Sequence, residues 1–296
     1  MQYRSHKDYP AINITEKELD ENSSLKKLLF FIGENKKVLE FGCATGYLSK
    51  LLNNKKCKVF GIEVNSEAAK VAEQYCERIV VADLDLTSVS EILPNEKFDV
   101  AVFGDVLEHL RNPWLLLEQT QSLLSENGYI VASIPNIAHG AIRLSLLKGE
   151  FEYKDLGILD NTHLRFFTKK TIYELFERTG YFIDKIERVT IPMFTNSKFV
   201  PHLNRIDFNE EIIQKLEQQD EIDTLQFIVR AYPCSSEGKY TSLNHKYYEL
   251  VDRFEKNQAE LEENRSIVNA LKVSRFWKLW IQWLKFKKWM GLAKGI

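Results

Sequence analysis

The stretch Val38-Leu39-Glu40-Phe41-Gly42-Cys43-Ala44-Thr45-Gly46 begins as an apolar run and ends as a glycine-containing turn. An amphipathic pattern follows at residues 46–53, so the stretch predicts a strand over Lys37–Phe41 that runs directly into a helix. Glycine at such a junction lets the backbone take a positive φ and approach a ligand closely, and the start of the helix offers free N–H groups. Dinucleotide-binding units use the same device, so the turn predicts a ligand site without identifying the ligand.

Outward from this turn, short apolar runs alternate with longer amphipathic ones. Strands are predicted at residues 37–41, 58–64, 78–82, 98–103, 129–134, 181–188 and 224–232. Helices are predicted at residues 15–32, 46–53, 66–76, 113–125, 168–179 and 209–219, with a helical turn near 88–93 and a stop signal at Gly128. This alternation predicts an α/β fold, a Rossmann-like, doubly wound and mostly parallel sheet, whose last strand enters antiparallel after the insertion at 190–223.

Three regions are predicted along the chain: an N-terminal arm and helix at 1–35, the α/β domain at 36–233, and a helical C-terminal extension at 234–296. Within the extension, residues 234–240 have the composition of a linker. Residues 242–272 lack Pro and Gly, and an apolar residue recurs every seventh position at Tyr247, Phe254, Leu261 and Val268. Both coiled-coil self-association and packing of a surface helix on its own domain agree with this pattern.

The composition excludes several classes of protein. The chain has 296 residues, 44% of them hydrophobic, and a net charge of −2, so it is not an electrostatic nucleic-acid binder. Its four cysteines have no C-x-x-C spacing, which argues against a zinc or redox motif. The polar N-terminus lacks a secretory signal, and no apolar run reaches about eighteen residues. We therefore expect a cytoplasmic protein that does not span a membrane.

Acidic residues stand at the ends of the first three predicted strands. Glu40 lies inside the end of the first strand, where a carboxylate repels a pyrophosphate and attracts an ammonium group. Glu63 closes the second, where it can accept hydrogen bonds from ribose hydroxyls, and Asp83 follows the third, where it can accept one from an adenine amino group. Singly, Glu63 could be a solvated strand end and Asp83 a turn residue. Together the three predict a phosphate-free adenosine that carries an amino acid.

The motifs resemble those of class I S-adenosylmethionine-dependent methyltransferases, in particular the ubiquinone-type and O-antigen-cluster subgroup. The resemblance covers about residues 30–232 and rests on Glu-x-Gly-x-x-x-Gly at 40–46, Leu-Glu-His-Leu at 107–110 and His-Leu-Arg-Phe-Phe-Thr at 163–168. It implies S-adenosyl-L-methionine as cofactor. The residues that it places at the cofactor are Glu40, Gly42, Cys43, Gly46, Glu63, Asp83, Leu84 through its backbone, and Asp105. Ala44 departs from the family pattern, because many members have glycine there.

Methyl transfer to an oxygen requires alignment, a dry pocket and removal of a proton. His109 follows the fourth strand and is the predicted base, although a buried or capping histidine would fit the pattern too. His163 and Arg165 follow a long excursion after the fifth strand and are predicted to contact the acceptor, with Asn136 as a weaker candidate; a structural loop is the alternative. No metal site is expected, because Asp105, Glu108 and His109 on one turn form a poor ligand set.

The final segment, 274–296, combines four tryptophans with six Lys or Arg residues and no acidic residue. Such a segment suits a membrane–water interface with anionic headgroups. A packing helix for a protein partner and nucleic-acid stacking are alternatives, of which we favour the last least. We expect O-methylation of a sugar or lipid-linked glycan at the membrane face, in cell-surface polysaccharide biosynthesis. The alternatives are a methyltransferase for a small aromatic or quinone-like hydroxyl and a catalytically silent scaffold.

Overall fold

A computed structural model of the chain describes residues 15–273 together with 277, 280, 282, 283, 286, 287 and 290. Seven strands form one sheet in the order β3-β2-β1-β4-β5-β7-β6. Their bounds are β1 Lys37–Phe41, β2 Lys58–Glu63, β3 Arg78–Val81, β4 Phe98–Gly104, β5 Leu124–Pro135, β6 Tyr181–Thr190 and β7 Thr224–Pro233. Strands β1 to β5 pair in parallel, whereas β7 runs antiparallel to both β5 and β6. The predicted fold class, with an antiparallel last strand, is confirmed.

Nine α-helices lie within residues 15–273. Their bounds are α1 Ser24–Ile32, α2 Tyr47–Asn54, α3 Ser66–Ala72, α4 Val89–Ile92, α5 Pro113–Thr120, α6 Gly140–Leu147, α7 Lys169–Arg178, α8 Glu210–Glu217 and α9 Ser236–Val273. Apolar residues of α1, α2, α6 and α8 form one core layer with the sheet, and those of α4, α5 and α7 form the other. The sheet is therefore covered on both faces, as its near-continuous apolar strands require.

The two core layers alternate along each central strand. Val38 and Leu39 are both inaccessible to solvent but belong to opposite layers, as do Val102 and Phe103. Register pairs Phe41 with Phe103, and their rings stack with centroids 4.4 Å apart. This pairing aligns the ends of β1 and β4, so that the turns following them start from the same edge.

The predicted N-terminal helix is split. Thr15 and Glu18 do form the expected capping contact, a 2.8 Å hydrogen bond from the Thr15 N–H to the Glu18 carboxylate, but it caps a single 3₁₀ turn over Glu16–Glu18. A second cap starts α1, because the Ser23 hydroxyl accepts the N–H of Lys26. The last carbonyls of α1 then lie within hydrogen-bond distance of the buried Tyr129 hydroxyl, which anchors the helix to β5.

The prediction that a helix reaches residue 125 and stops at Gly128 is wrong. α5 ends at Thr120, a 3₁₀ turn covers Gln121–Leu123, and β5 begins at Leu124. Gly128 lies inside this strand, where an added Cβ would stand 2.9 Å from both the Leu124 side chain and the Phe98 carbonyl oxygen. The glycine thus permits close packing of backbone against the irregular start of the β4–β5 pairing rather than ending a helix.

The predicted linker at 234–240 is helical from Ser236 onward. The Ser235 hydroxyl accepts the N–H of Gly238 at 3.0 Å, so the serine and glycine that resemble a linker form a helix start instead. Contacts divide the chain into two compact units, residues 1–240 and 241–296. The three regions predicted from the sequence, with boundaries at 35 and 233, remain predictions. No helix among the described residues carries an apolar stretch long enough to cross a bilayer.

Helix α9 is 38 residues long. The side chains of its seven-residue repeat, Tyr247, Phe254, Leu261 and Val268, are 45–62% exposed in the single chain. Coiled-coil self-association through 242–272 stays a prediction. The arm at 1–14 and most of the basic aromatic tail lie outside the described residues.

The turn between β1 and α2 yields a stability prediction. Gly46 has φ +79°, and an added Cβ would stand 3.0 Å from Ala72 Cα and from the Tyr75 ring. Gly149 has φ +76°, and an added Cβ there would have no neighbouring heavy atom within 4 Å, so this glycine is a matched control. Gly149→Ala should lower the free energy of unfolding by about 1–2 kcal/mol, the cost of a left-handed non-glycine residue. Gly46→Ala should lower it further, because steric overlap is added. Urea denaturation measures both, and equal losses would show that close packing at Gly46 has no cost.

Candidate active site

The carboxyl ends of β1 to β5 meet at one edge of the sheet, at Phe41, Glu63, Val81, Gly104 and Pro135. The strand order reverses direction between β1 and β4, and ligands bind at such switch points in open α/β sheets. The turns that follow these two strands touch: an added Cβ on Gly42 would stand 2.8 Å from Cγ2 of Val106. The glycine-containing turn and the turn that carries His109 therefore lie in contact at the switch point, and this edge is the candidate ligand crevice.

The backbone of the glycine-containing turn takes left-handed conformations at Gly42, Ala44 and Gly46, with φ of +65°, +49° and +79°. Ala44 therefore occupies the conformation that glycine would adopt more easily, at a cost of about 1–2 kcal/mol. A hydrogen bond offsets this cost, because the N–H of Ala44 donates to Oε2 of Glu63 at 2.9 Å. The departure from the family pattern is thus accommodated by the second strand's carboxylate.

Glu40 is buried at the end of β1, and the Ser49 hydroxyl of α2 donates to its Oε2 at 2.5 Å. Burial raises the pKa of the Glu40 carboxyl to about 8, although the Ser49 hydrogen bond works in the opposite direction. The site without a ligand thus holds a neutral carboxyl at neutral pH. A cationic ammonium group placed beside it would favour the ionised form.

Cys43 has a side chain that is inaccessible to solvent and lies against the backbone of Gly61. Its thiol is hydrogen-bonded with that of Cys76, and this contact together with burial raises the pKa of the Cys43 thiol. Cys43 therefore presents its backbone, and not its sulfur, to the crevice. In turn, Cys76 donates towards the Ser49 hydroxyl at 3.3 Å, so the two thiols and Glu40 are linked through Ser49.

Glu63 is buried at the end of β2. Its Oε2 accepts the N–H of Ala44, and its Oε1 accepts the N–H of Asn65 at 2.8 Å. Asp83 and Leu84 follow β3 in a half-buried turn, where Oδ1 of Asp83 accepts the N–H of Asp85. Each carboxylate oxygen has two lone pairs, so neither residue is saturated as an acceptor by these contacts. The predicted carboxylates are thus held by backbone donors at neighbouring strand ends.

Asp105 follows β4 with φ +55°, an uncommon conformation for a non-glycine residue. Its N–H donates to the Ser133 hydroxyl of β5 at 3.0 Å, and its Oδ1 accepts from the Gln226 side chain of β7 at 2.6 Å. Gln226 can reach this edge because β7 is antiparallel and pairs it with Pro135 at the end of β5. Strained backbone of this kind clusters at functional sites.

His109 ends a 3₁₀ turn over Leu107–His109, and the structure brings it against His163 with ring centroids 4.8 Å apart. Nδ1 of His109 lies 3.2 Å from both the carbonyl oxygen and the hydroxyl of Thr162. Nδ1 of His163 lies 3.0 Å from the Ile158 carbonyl oxygen. Because a carbonyl oxygen only accepts, Nδ1 of each imidazole is the donor in these contacts.

Main-chain hydrogen bonds join the segment that carries His163 to the turn that carries His109. The carbonyl oxygen of Glu108 accepts the N–H groups of Leu164 and Arg165 at 2.8 and 2.9 Å. Glu108 itself is 1% exposed, and one ligand atom from each of Glu108, His109 and His163 falls within a span of 4.8 Å. The sequence places His163 more than fifty positions from the other two residues.

The remaining predicted acceptor residues have other contacts. The Asn136 side chain is buried, accepts from the N–H of Ala138 and donates to the Thr224 carbonyl oxygen, so it holds the turn after β5 to the start of β7. These two hydrogen bonds give Asn136 a role in the turn, and its contact with an acceptor stays a prediction. The described contacts of the Arg165 guanidinium are with the Arg111 carbonyl oxygen and the Trp114 ring. Its contact with an acceptor stays a prediction.

Comparison with known proteins identifies the class. A family model described as a methyltransferase domain matches residues 15–186, more than half of the chain. The "Ubiquinone biosynthesis O-methyltransferase" of Glaesserella parasuis serovar 5 (strain SH0165) is 32% identical over 130 residues, 41% of this chain and 54% of that protein. The protein of that name from Bradyrhizobium diazoefficiens is 28% identical over 116 residues, 39% of this chain and 46% of its own. The chain thus spans about half the length of these relatives.

A solved structure shares the fold. The S-adenosylmethionine-dependent methyltransferase of Archaeoglobus fulgidus superposes with a TM-score of 0.50 at 20% identity, covering 71% of this chain and 91% of that one. The chain therefore belongs to the methyltransferase-domain family and shares the fold of this S-adenosylmethionine-dependent methyltransferase. Its expected resemblance to the ubiquinone-type subgroup is confirmed by the relatives.

The crevice fits the cofactor. The buried carboxylates of Glu40 and Glu63 lie at the ends of β1 and β2. The turn has no room for a side chain at Gly42 or Gly46, because an added Cβ at either position would overlap a neighbouring side chain. S-adenosylmethionine supplies an electrophilic methyl group on its sulfonium. In this site we propose that Glu40 binds the ammonium group and that Glu63 binds the ribose. Asp83 and the backbone of Leu84 would contact the adenine. The turn beside the cofactor would be lined by Gly42, Cys43 and Gly46, and the facing side by Asp105.

Several residues that contact the candidate site residues were not predicted from the sequence. Ser49 lies one α-helical turn beyond Gly46, a spacing that places it near the end of β1 and could have indicated its contact with Glu40. Gln226 and Thr162 reach the site from segments that are distant in sequence. No local pattern marks those two, because their contacts arise from the antiparallel entry of β7 and the fold of the excursion after β5.

The raised pKa of Glu40 predicts proton-linked binding of the cofactor. Below about pH 7.5 the free protein carries a protonated Glu40, and binding the ammonium group requires the carboxylate. About one proton should leave per cofactor bound, and affinity should rise about tenfold per pH unit between about pH 6 and 7.5. Calorimetry in buffers of different ionisation enthalpy measures this release. Glu40→Gln should bind more weakly and release no proton, whereas the exposed control Glu73→Gln should match the parent. Proton release that persists in Glu40→Gln would refute the assignment.

Proposed function

We propose that this methyltransferase acts on a hydroxyl oxygen of a sugar or lipid-linked glycan. The observation that carries the proposal is the pair of histidines beside the switch-point crevice, each with its Nδ1 bonded to a carbonyl oxygen. A hydroxyl acceptor must lose a proton, and a neutral imidazole with a lone pair on Nε2 can accept it. His109 is partly accessible, so it is the proposed base, and the buried His163 holds its ring in place.

The surroundings of the histidines support a ring-shaped acceptor with hydroxyl groups. The Phe166 ring contacts both His163 and Phe151, and Tyr153 packs edge-on against Phe151. Phe151 and Tyr153 are exposed. Aromatic rings next to polar groups suit an acceptor that offers an apolar face and hydrogen-bonding edges. Residues 151–166 thus form the proposed acceptor wall.

A second candidate acceptor is a phenolic or quinone-like hydroxyl, which the names of the relatives favour. Incubation with methyl-labelled cofactor and either glycan extracts or simple catechols, followed by mass spectrometry, separates the two classes. Label in the glycan fraction supports the first proposal, and label confined to the catechol supports the second. Weak or absent cofactor binding, together with no transfer to either class of hydroxyl, would leave the catalytically silent scaffold as the function.

Replacement of the proposed base gives the direct test. His109→Ala should lower kcat by about 10²- to 10⁴-fold, the usual contribution of a positioned general base. Its affinity for the cofactor should be unchanged, because none of the proposed cofactor contacts is made by His109 itself. The exposed His202 contacts the Thr195 carbonyl oxygen, so His202→Ala is the matched control and should retain parental activity. Full turnover by His109→Ala would contradict the base assignment.

We also propose peripheral membrane contact through the tail at 274–296. Among its described residues, Trp277, Trp280 and Trp283 are 39–45% exposed, and the Lys287 ammonium lies 4.3 Å from the Trp283 ring centroid. Exposed indoles with adjacent lysines suit headgroup depth. Replacing the three tryptophans by alanine should abolish co-flotation with vesicles that contain anionic lipid. Triple replacement of the exposed Tyr240, Leu243 and Tyr248 on α9 is the control, and equal flotation of the parent and the tryptophan variant would refute the proposal.

A further inference from the structure

Helix α9 carries a narrow apolar seam that recurs every seven residues. Its members stand alternately three and four residues apart, which is the spacing of positions a and d in a coiled-coil heptad. Position a holds Tyr240, Tyr247, Phe254, Leu261 and Val268, and position d holds Leu243, Leu250, Asn257 and Asn264. The apolar members are 45–65% exposed in the single chain. A contiguous exposed apolar strip of this kind marks a protein–protein contact.

The repeat fits a helix that winds around another helix rather than one that lies on a globular domain. Positions seven apart drift by about 20° on a straight α-helix, so the strip from Tyr240 to Val268 would rotate by about 80°. Supercoiling around a second helix keeps such a strip in one interface. A helix on a globular domain also needs a broader apolar stripe, with about three or four positions in every seven. From Asp252 onward, the residues outside the seam are mainly charged or polar.

Two consecutive d positions hold Asn257 and Asn264, and these amides favour a second copy of the chain as the partner. An amide inside an apolar seam is costly unless it is hydrogen-bonded. In a parallel, in-register pair each Asn faces its own counterpart, and the donor of one amide meets the acceptor of the other. In a fully overlapping antiparallel pair Asn257 would face Phe254, whose side chain has no polar atom. A slip by one repeat would place Asn257 against Leu250.

Charged residues beside the seam are complementary between two copies. In a parallel coiled coil, position g of one helix faces position e of the other, five residues further along. Glu260 is at g and Arg265 is at e, so each copy offers both members of an ion pair. Arg253 at g would face Gln258 at e, and none of the other g–e pairs brings like charges together. Exposed ion pairs contribute little free energy, so this pattern specifies orientation more than affinity.

We propose that α9 pairs with α9 of a second copy as a parallel, in-register, two-stranded coiled coil over residues 240–268. Both copies contribute the same residues, so the interface closes on itself by two-fold symmetry. The seam that is exposed in the single chain becomes the core of the pair, and Asn257 and Asn264 fix its register. The proposal depends neither on the identity of the acceptor nor on the role of His109.

The first test measures the molar mass of the full chain by light scattering between about 1 and 100 µM, a range in which moderately tight pairs dissociate. The parent should have twice the 34.6 kDa mass of the chain. Phe254→Glu together with Leu261→Glu should raise the Kd of the pair by on the order of 100-fold or more, because carboxylates would be buried opposite each other. The control, Tyr248→Glu together with Ala259→Glu, adds the same charge at exposed positions outside the seam and should pair like the parent.

The second test measures orientation by oxidative cross-linking. Leu250→Cys and Leu261→Cys should each cross-link when oxidised alone, because residues that face their own counterparts across the seam lie within reach of a disulfide. In a fully overlapping antiparallel pair residue 250 would face residue 261, so only a mixture of the two variants would cross-link. The control Tyr248→Cys lies outside the seam. It should cross-link no more than the parent, which measures the background from the exposed natural Cys234.

Replacement of both amides tests their role in the register. Asn257→Leu together with Asn264→Leu should tighten the association and relax its orientation, since a buried polar residue specifies register at a cost in stability. In this background the mixture of Leu250→Cys and Leu261→Cys chains should gain a cross-link. Unchanged selectivity would contradict the role assigned to Asn257 and Asn264.

The remaining outcomes are equally decisive. Cofactor affinity of each variant verifies that the unit at residues 1–240 is intact. The mass of one chain for the parent at the highest concentration, or equal masses for the parent and the Phe254–Leu261 variant, overturns the proposal. Loss of pairing in the control outside the seam overturns the assignment to the seam. A cross-link that forms only in the mixture overturns the parallel register, and the mass of three copies overturns the two-stranded state.

Discussion

The hydrogen bond from the Ala44 N–H to the Glu63 carboxylate is the contact on which the geometry of the crevice depends. It joins the turn after β1 to the end of β2 and holds a non-glycine residue at a positive φ. Without an acceptor at this position, the N–H of Ala44 would be a buried donor lacking a partner, and the left-handed backbone would have no compensation. The two carboxylates at these strand ends therefore serve different purposes. Glu63 shapes the turn, whereas Glu40 is kept neutral by burial until a cation approaches.

The sheet determines which turns can cooperate. Parallel pairing of β1 with β4 aligns Phe41 and Phe103 and brings Val106 against Gly42. The antiparallel β7 adds a contact that a parallel strand would not provide, because its first residues, rather than its last, lie at the ligand edge. Gln226 reaches Asp105 for this reason and supports the strained backbone there. The same edge thus carries the proposed cofactor groups from one half of the sheet and the proposed acceptor groups from the other.

On the acceptor side, backbone hydrogen bonds do the positioning. The Glu108 carbonyl oxygen receives two N–H groups from the segment that follows His163, so the two turns behave as one unit. Carbonyl oxygens of Thr162 and Ile158 then accept from Nδ1 of the two imidazoles. Such preorganised donors and acceptors are what a site needs in order to accept a proton without reorganisation.

Local sequence determined the βα alternation, the glycine-containing turn, the acidic strand ends and the family, because each is written within a few neighbouring residues at strand or helix periodicity. Local sequence also indicated His109 and His163 as candidate site residues, each within its own segment. Tertiary structure alone decided that β5 begins at Leu124, since pairing with β4 and burial of Leu123 and Leu124 outweigh the helical pattern there. It alone decided that Asn136 supports a turn and that His163 joins Glu108 and His109. These outcomes depend on how the excursion after β5 folds back over the sheet, and no periodicity in a single segment encodes contacts between segments that are far apart in the chain.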